Sequence, residues 1–100
     1  MKQGEKAIVL NARDNVATAL ADLETGSSLE MNVGNKTLRV KLTMSIPFGH
    51  KFSLLKIKTG ESVVKYGEVI GTATADIYPG DYVHIHNVVS NRGTSNRGVE

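Results

Sequence analysis

Three histidines are the side chains of this sequence best suited to moving protons near neutral pH, and two of them fall together in Tyr82-Val83-His84-Ile85-His86-Asn87. On an extended strand His84 and His86 project to one face with Tyr82, while Val83, Ile85 and Val89 point to the other. One face then reads as core and the other as a site. The third, His50, follows the bend Pro47-Phe48-Gly49 and precedes Lys51, so an imidazole and an ammonium are offered together at a loop-to-strand junction. Loops held by a rigid scaffold are common places for chemistry.

A plainer reading stands beside each of these. A His-x-His pair on a strand is satisfied equally well by two exposed, hydrogen-bonded imidazoles. Two imidazoles do not complete a metal site, which normally needs a third protein ligand, often a carboxylate, and none lies at a fixed local spacing. Residues 30–68 hold seven Lys or Arg against three Glu, so Lys51 also fits a solvated basic face. There is no G-x-G-x-x-G opening a helix, no P-loop and no G-x-S-x-G elbow, which argues against a nucleotide hydrolase or a serine hydrolase.

The elements that must position these residues are short. Asp14 stands where an N-cap would, followed by Val16, Ala19, Leu20 and Leu23 at helical spacing and Gly26 beyond, so the spacing predicts one amphipathic helix over residues 15–24. The period then changes to two: Leu38, Val40, Leu42 and Met44 alternate with Thr37, Arg39, Lys41 and Thr43. With Val33-Gly34-Asn35-Lys36 as its turn, the stretch 29–44 reads as a hairpin. Residues 7–10 make a further short strand. Residues 52–57, 62–66, 69–75 and 82–89 are four more candidates, separated by Thr59-Gly60, Gly67 and Pro79-Gly80-Asp81. Turns every ten residues or so, with one early helix, predict a mostly β, minor α+β domain of the small-barrel or irregular-sandwich kind.

One hundred residues suit a single domain, here taken as 1–90 with a polar tail over 91–100 in which Asn-Arg-Gly occurs twice. The balance of 12 Lys and Arg against 10 Asp and Glu gives +2, too small an excess to mark a nucleic-acid binder. The absence of cysteine excludes a disulfide scaffold, thiolate zinc, an iron–sulfur cluster and a cysteine nucleophile. The longest apolar run, residues 7–10, is far below the roughly 20 residues of a spanning helix. The expectation is a cytoplasmic protein without a membrane partner.

Several segments together resemble the N-terminal domain of the altronate and galactarate dehydratase family. They are Ile46-Pro47-Phe48-Gly49-His50-Lys51-Phe52, Gly60-Glu61, Lys65-Tyr66-Gly67-Glu68-Val69-Ile70-Gly71, His84-Ile85-His86-Asn87-Val88, and earlier Arg13-Asp14-Asn15-Val16-Ala17 with Leu20. The resemblance runs from about residue 8 to residue 93 and implies an SAF-like β-clip, a strongly bent, mostly antiparallel fold.

The family dehydrates sugar acids such as altronate and galactarate, and a related two-subunit lyase removes sulfite from sulfolactate. In long relatives a large domain follows this one. The resemblance therefore implies the small subunit of a hydro-lyase or sulfo-lyase, inactive alone, acting with a separate large catalytic subunit. Such chemistry takes a proton from carbon beside a carboxylate and expels a β-substituent, which calls for a base, an acid or Lewis acid, and positive charge at the forming enediolate. The implied catalytic residues are His50, His84 and His86, without assignment of acid and base. Lys51 would hold a carboxylate, Asn87 a hydroxyl, and Arg92 would also contact substrate. A divalent metal, often ferrous iron in the family, would be bound mainly by the partner. A homodimer is the further expectation, because exposed strand edges invite pairing. The competing reading is a non-catalytic SAF-type module that binds carbohydrate or another protein.

Overall fold

A computed structural model describes residues 6–90. The chain forms nine short strands: β1 (Ala7–Ile8), β2 (Val16–Ala19), β3 (Ser28–Val33), β4 (Lys36–Lys41), β5 (Lys51–Ser53), β6 (Ser62–Lys65), β7 (Glu68–Ala73), β8 (Tyr82–Val83) and β9 (Val88–Ser90). Four of them make a central antiparallel sheet in the order β1-β2-β5-β8, flanked by the hairpin β3–β4 and the three-stranded sheet β6-β7-β9. No helix occurs among the described residues, and hence none long and apolar enough to cross a membrane. The polar stretch 91–100, including Arg92, lies outside the described residues.

The same backbone scheme is built twice. In the first unit Leu23 and Ile46 exchange N–H···O bonds at 2.8 and 2.9 Å, Gly26 N donates to Leu42 O and Gly49 N to Ala19 O, each at 2.9 Å, and Ala19 N donates to His50 O at 2.8 Å. In the second, Ile57 and Ile77 exchange bonds of 2.8 Å, Gly60 N donates to Ala73 O and Gly80 N to Ser53 O, each at 2.8 Å, and Ser53 N donates to Asp81 O at 2.9 Å. Each bridge is locked by a carboxylate: Asp22 accepts from Phe48 N at 2.8 Å, and Asp76 from Thr59 N at 2.9 Å. Strand β5 closes the first unit and opens the second.

This duplication has a sequence signature: a branched aliphatic residue three places before a glycine, at Leu23-Gly26, Ile46-Gly49, Ile57-Gly60 and Ile77-Gly80. The aliphatic residue is buried, at 4% exposure or less in all four cases. The glycine turns the chain at a φ between +83° and +91°, a conformation that costs other L-residues energy. Each unit has its own core. Leu23, Val40, Leu42, Ile46 and Phe52 fill the first; Val16, Ile57, Val63, Ile77 and Val83 fill the second.

Two expectations are corrected here. The helix over 15–24 is strand β2 instead, because Val16 packs into the second core while Ala17 and Ala19 pack into the first. A strand covered on both faces carries apolar residues without strict alternation, and their spacing imitates a helix. Asp14 does accept backbone N–H groups, but those of Gly67 at 2.7 Å and Asn11 at 3.3 Å rather than those of a helical turn. The continuous strand over 82–89 is broken into β8 and β9 by a turn over 84–87. The hairpin forms as expected, with Val33 opposite Lys36 across a two-residue turn.

Candidate functional site

His50, Lys51, Tyr82 and His84 come from two segments more than thirty residues apart in sequence, brought together by the pairing of β5 with β8. Lys51 stands opposite Val83 and Phe52 opposite Tyr82, so the residue before β5 and the first residues after β8 share one end of the central sheet. Tyr82 Oη lies 2.7 Å from His50 Nδ1. The His84 ring is stacked on Tyr82, planes 5° apart and centroids at 5.6 Å, and is 5.1 Å from the His50 ring. The His86 ring is tilted by 50° against Tyr82, with centroids 5.6 Å apart.

The turn that presents His84 and His86 is fixed from beneath by Asn87. Its Oδ1 accepts from His84 N at 3.0 Å and its Nδ2 donates to Tyr82 O at 2.9 Å, while Thr74 N donates to Asn87 O at 2.9 Å. Asn87 is 8% exposed. The amide expected to meet a ligand hydroxyl is thus engaged with the loop backbone. Ile85, expected on the core face with Val83, is instead 83% exposed at the tip of the turn, since three residues in a turn do not keep the alternation of a strand.

Beside this cluster lies a cavity of about 230 Å³ lined by Lys51, His84, Ile70, Val83, Ile85 and Val88. Burial against these apolar walls holds the Lys51 ammonium below its ordinary value of 10.5, and the charge of Lys65 lowers it further. Lys51 makes no ion pair among the described residues, where the single such pair is Arg39 with Glu30 at 3.0 Å. A partly desolvated cation without a counter-ion favours an incoming anion. Imidazoles at its edge supply nitrogen donors and acceptors beside that cation.

Among the described residues no three His, Cys, Asp or Glu side chains are placed to hold a metal ion. The imidazoles of His50 and His84 have no carboxylate to complete a ligand set, and the Nδ1 of His50 is taken by Tyr82. The described residues do not by themselves fit a metal centre.

The structure thus gathers His50, Lys51, His84 and His86, and sets Asn87 beneath them. Sequence reasoning placed Tyr82 on the histidine face but missed its bond to His50, because the two residues meet only through the β5–β8 pairing. The repeated aliphatic-x-x-Gly spacing was the available signal: superposing its second and fourth copies aligns the segments that follow, His50-Lys51 with Asp81-Tyr82.

Comparison with known proteins gives consistent matches. The family model described as altronate/galactarate dehydratase SAF domain matches residues 5–91. An altronate dehydratase of Escherichia coli is 49% identical over 84 residues, and one of Bacillus subtilis 37% identical over 84 residues; each alignment takes in 84% of this chain but 16% of the relative. The chain therefore spans about a sixth of the length of those two enzymes. A (2R)-sulfolactate sulfo-lyase subunit alpha of Chromohalobacter salexigens is 33% identical over 88 residues, covering 85% of this chain and 94% of that subunit.

Proposed function

Because the chain belongs to the altronate/galactarate dehydratase SAF domain family, we propose that it is the small subunit of a cytoplasmic lyase that eliminates water or sulfite from a hydroxy acid, with a separate large subunit. The observation that carries this reading is the meeting of His50, His84 and Tyr82 beside Lys51, a partly buried ammonium with no ion pair among the described residues. In such a site Lys51 binds the substrate carboxylate and stabilises charge on the enediolate, while the imidazoles contact hydroxyls and move protons at the rim. The metal, a divalent ion, belongs mainly to the partner. Support for a small subunit comes from the sulfolactate lyase relative, itself named as a subunit and matched over 94% of its length.

The test is co-expression with a large-subunit chain of the family, purification of the complex, and assay on altronate, galactarate and (2R)-sulfolactate. The expected result is turnover by the complex, none by this chain alone, and loss of at least ~10²-fold in Lys51→Ala or His84→Ala complexes, the scale of one acid–base or electrostatic contribution. A complex that turns over equally well with either variant would make this chain a binding module rather than part of the active site. Turnover by the chain alone would overturn the two-subunit reading.

A further inference from the structure

The Tyr82 hydroxyl has a single hydrogen-bond partner among the described residues, and that partner is a histidine. Its Oη lies 2.7 Å from His50 Nδ1 and makes no other hydrogen bond among the described residues, where none is made by His50 Nε2 either. A phenol and an imidazole can share a hydrogen bond in two senses. The O–H of a phenol, with a pKa near ~10, is a far stronger donor than the N–H of a neutral imidazole, and an imidazole nitrogen, titrating near ~6.5, is a stronger acceptor than a phenol oxygen. The pairing therefore runs from Tyr82 to Nδ1. The proton of neutral His50 is then on Nε2, since one ring nitrogen of a neutral imidazole accepts and the other carries the hydrogen.

We propose that Tyr82 is a positioning residue that holds His50 as its Nε2–H tautomer, so that His50 meets its ligand as a hydrogen-bond donor to oxygen and not as the proton acceptor. The inference deepens the reading of the site as one for hydroxy acids and rests on it for the identity of that ligand: a carboxylate or enediolate oxygen beside Lys51. It also divides the histidines. His84 and His86 touch Tyr82 through their rings only, and neither ring nitrogen pair is committed by a hydrogen bond among the described residues. If a base comes from this chain, it is one of these two. Beside this bond the His84 ring is stacked on Tyr82, at 5° between planes and 5.6 Å between centroids, so a second imidazole packs against the phenol that bonds His50.

The experiment is long-range ¹H–¹⁵N correlation spectroscopy of the whole 100-residue chain at about pH 8.5, where an imidazole of ordinary pKa is neutral, on wild type and Tyr82→Phe. Phenylalanine keeps the ring and its stack and removes the hydroxyl. The expected result is a single His50 tautomer in wild type, Nδ1 bare and Nε2 protonated, and a shift toward a mixture of both tautomers in Tyr82→Phe. A protonated Nδ1 in wild type would overturn the proposal, and so would ¹⁵N shifts of His50 that Tyr82→Phe leaves unchanged. Should the variant fail to fold, a scalar coupling across the hydrogen bond from the Tyr82 hydroxyl proton to His50 Nδ1 in wild type decides alone: its presence supports the proposal, and coupling from an Nδ1 proton refutes it. None of these spectra needs turnover, so an inactive complex would count against the lyase reading and leave the tautomer result standing.

Discussion

Asn87 holds the backbone of His84: its Oδ1 accepts from His84 N at 3.0 Å while its Nδ2 reaches back to Tyr82 O at 2.9 Å. Asn87→Ala leaves that N–H and that carbonyl without partners in a half-buried turn. The expected cost is about 1–3 kcal/mol by chemical denaturation. The ring-current shifts of His84 and Tyr82 should collapse with it, since the stack depends on the turn. Unchanged His84 ring resonances in a folded Asn87→Ala chain would assign the hold on the turn to its backbone bonds alone.

Gly60 and Gly80 occupy related turns at nearly the same φ, +91° and +89°, yet they differ in surroundings. A Cβ on Gly60 meets nothing within 4 Å, whereas one on Gly80 would run into the carbonyl oxygen of Lys41 and approach its carbonyl carbon to 2.9 Å. Gly60→Ala should cost about 1–2 kcal/mol, the price of the left-handed conformation. Gly80→Ala should cost more than ~4 kcal/mol or yield no folded protein, because the end of β4 must move. Equal melting temperatures for the two variants would contradict the close approach.

Lys51 is held below 10.5 by burial first and by Lys65 second. Its folded pKa lies under its unfolded one, so the unfolded chain binds more protons between the two values, and stability rises with pH across that window. At neutral pH the charged side chain therefore opposes folding. Lys51→Met should be at least as stable as wild type at pH 7, and the wild-type-minus-variant stability difference should rise on the alkaline side below 10.5. Urea titrations at stepped pH measure this; a variant less stable at pH 7 would mean that the ammonium has a stabilising partner in the fold.

Asp76 behaves in the opposite sense. Its carboxyl is held below 3.8 first by the Thr59 backbone N–H and then by the Thr59 hydroxyl, both at 2.9 Å. A depressed carboxylate stabilises the fold fully above its unfolded pKa and loses that contribution as pH falls through the folded value. Asp76→Asn should accordingly flatten the stability profile between about pH 5 and pH 2 relative to wild type. Parallel profiles would place the acid sensitivity of the chain on other carboxylates.

The parts of this fold legible in the sequence are those set by local rules. Alternation from Thr37 onward marks β4, and Gly34 with Asn35 marks its turn. Strand β2 was not legible, since burial on both faces erases the two-residue period that identifies a strand. The site was half legible. Tyr82, His84 and His86 are neighbours in the chain and remain neighbours in space, although through a turn rather than a strand. The contribution of His50 depends on which strands pair, and no local pattern specifies that β5 lies beside β8. Asn87 was singled out for its chemistry, but its amide faces the backbone because the turn over 84–87 needs an acceptor for His84 N.

Strand β5 belongs to both units, and this bears on how the molecule comes apart. Phe52 fills the first core, while the backbone on either side of it pairs with β2 and with β8. Neither half can close its layer without the strand that the other also requires. Loss of one core strips the pairing partner from the other, so the domain should melt as one cooperative event, with no half-folded species populated. His50 and Lys51 sit at the start of that strand, so the backbone that sets the geometry around Tyr82 should come apart only with global unfolding.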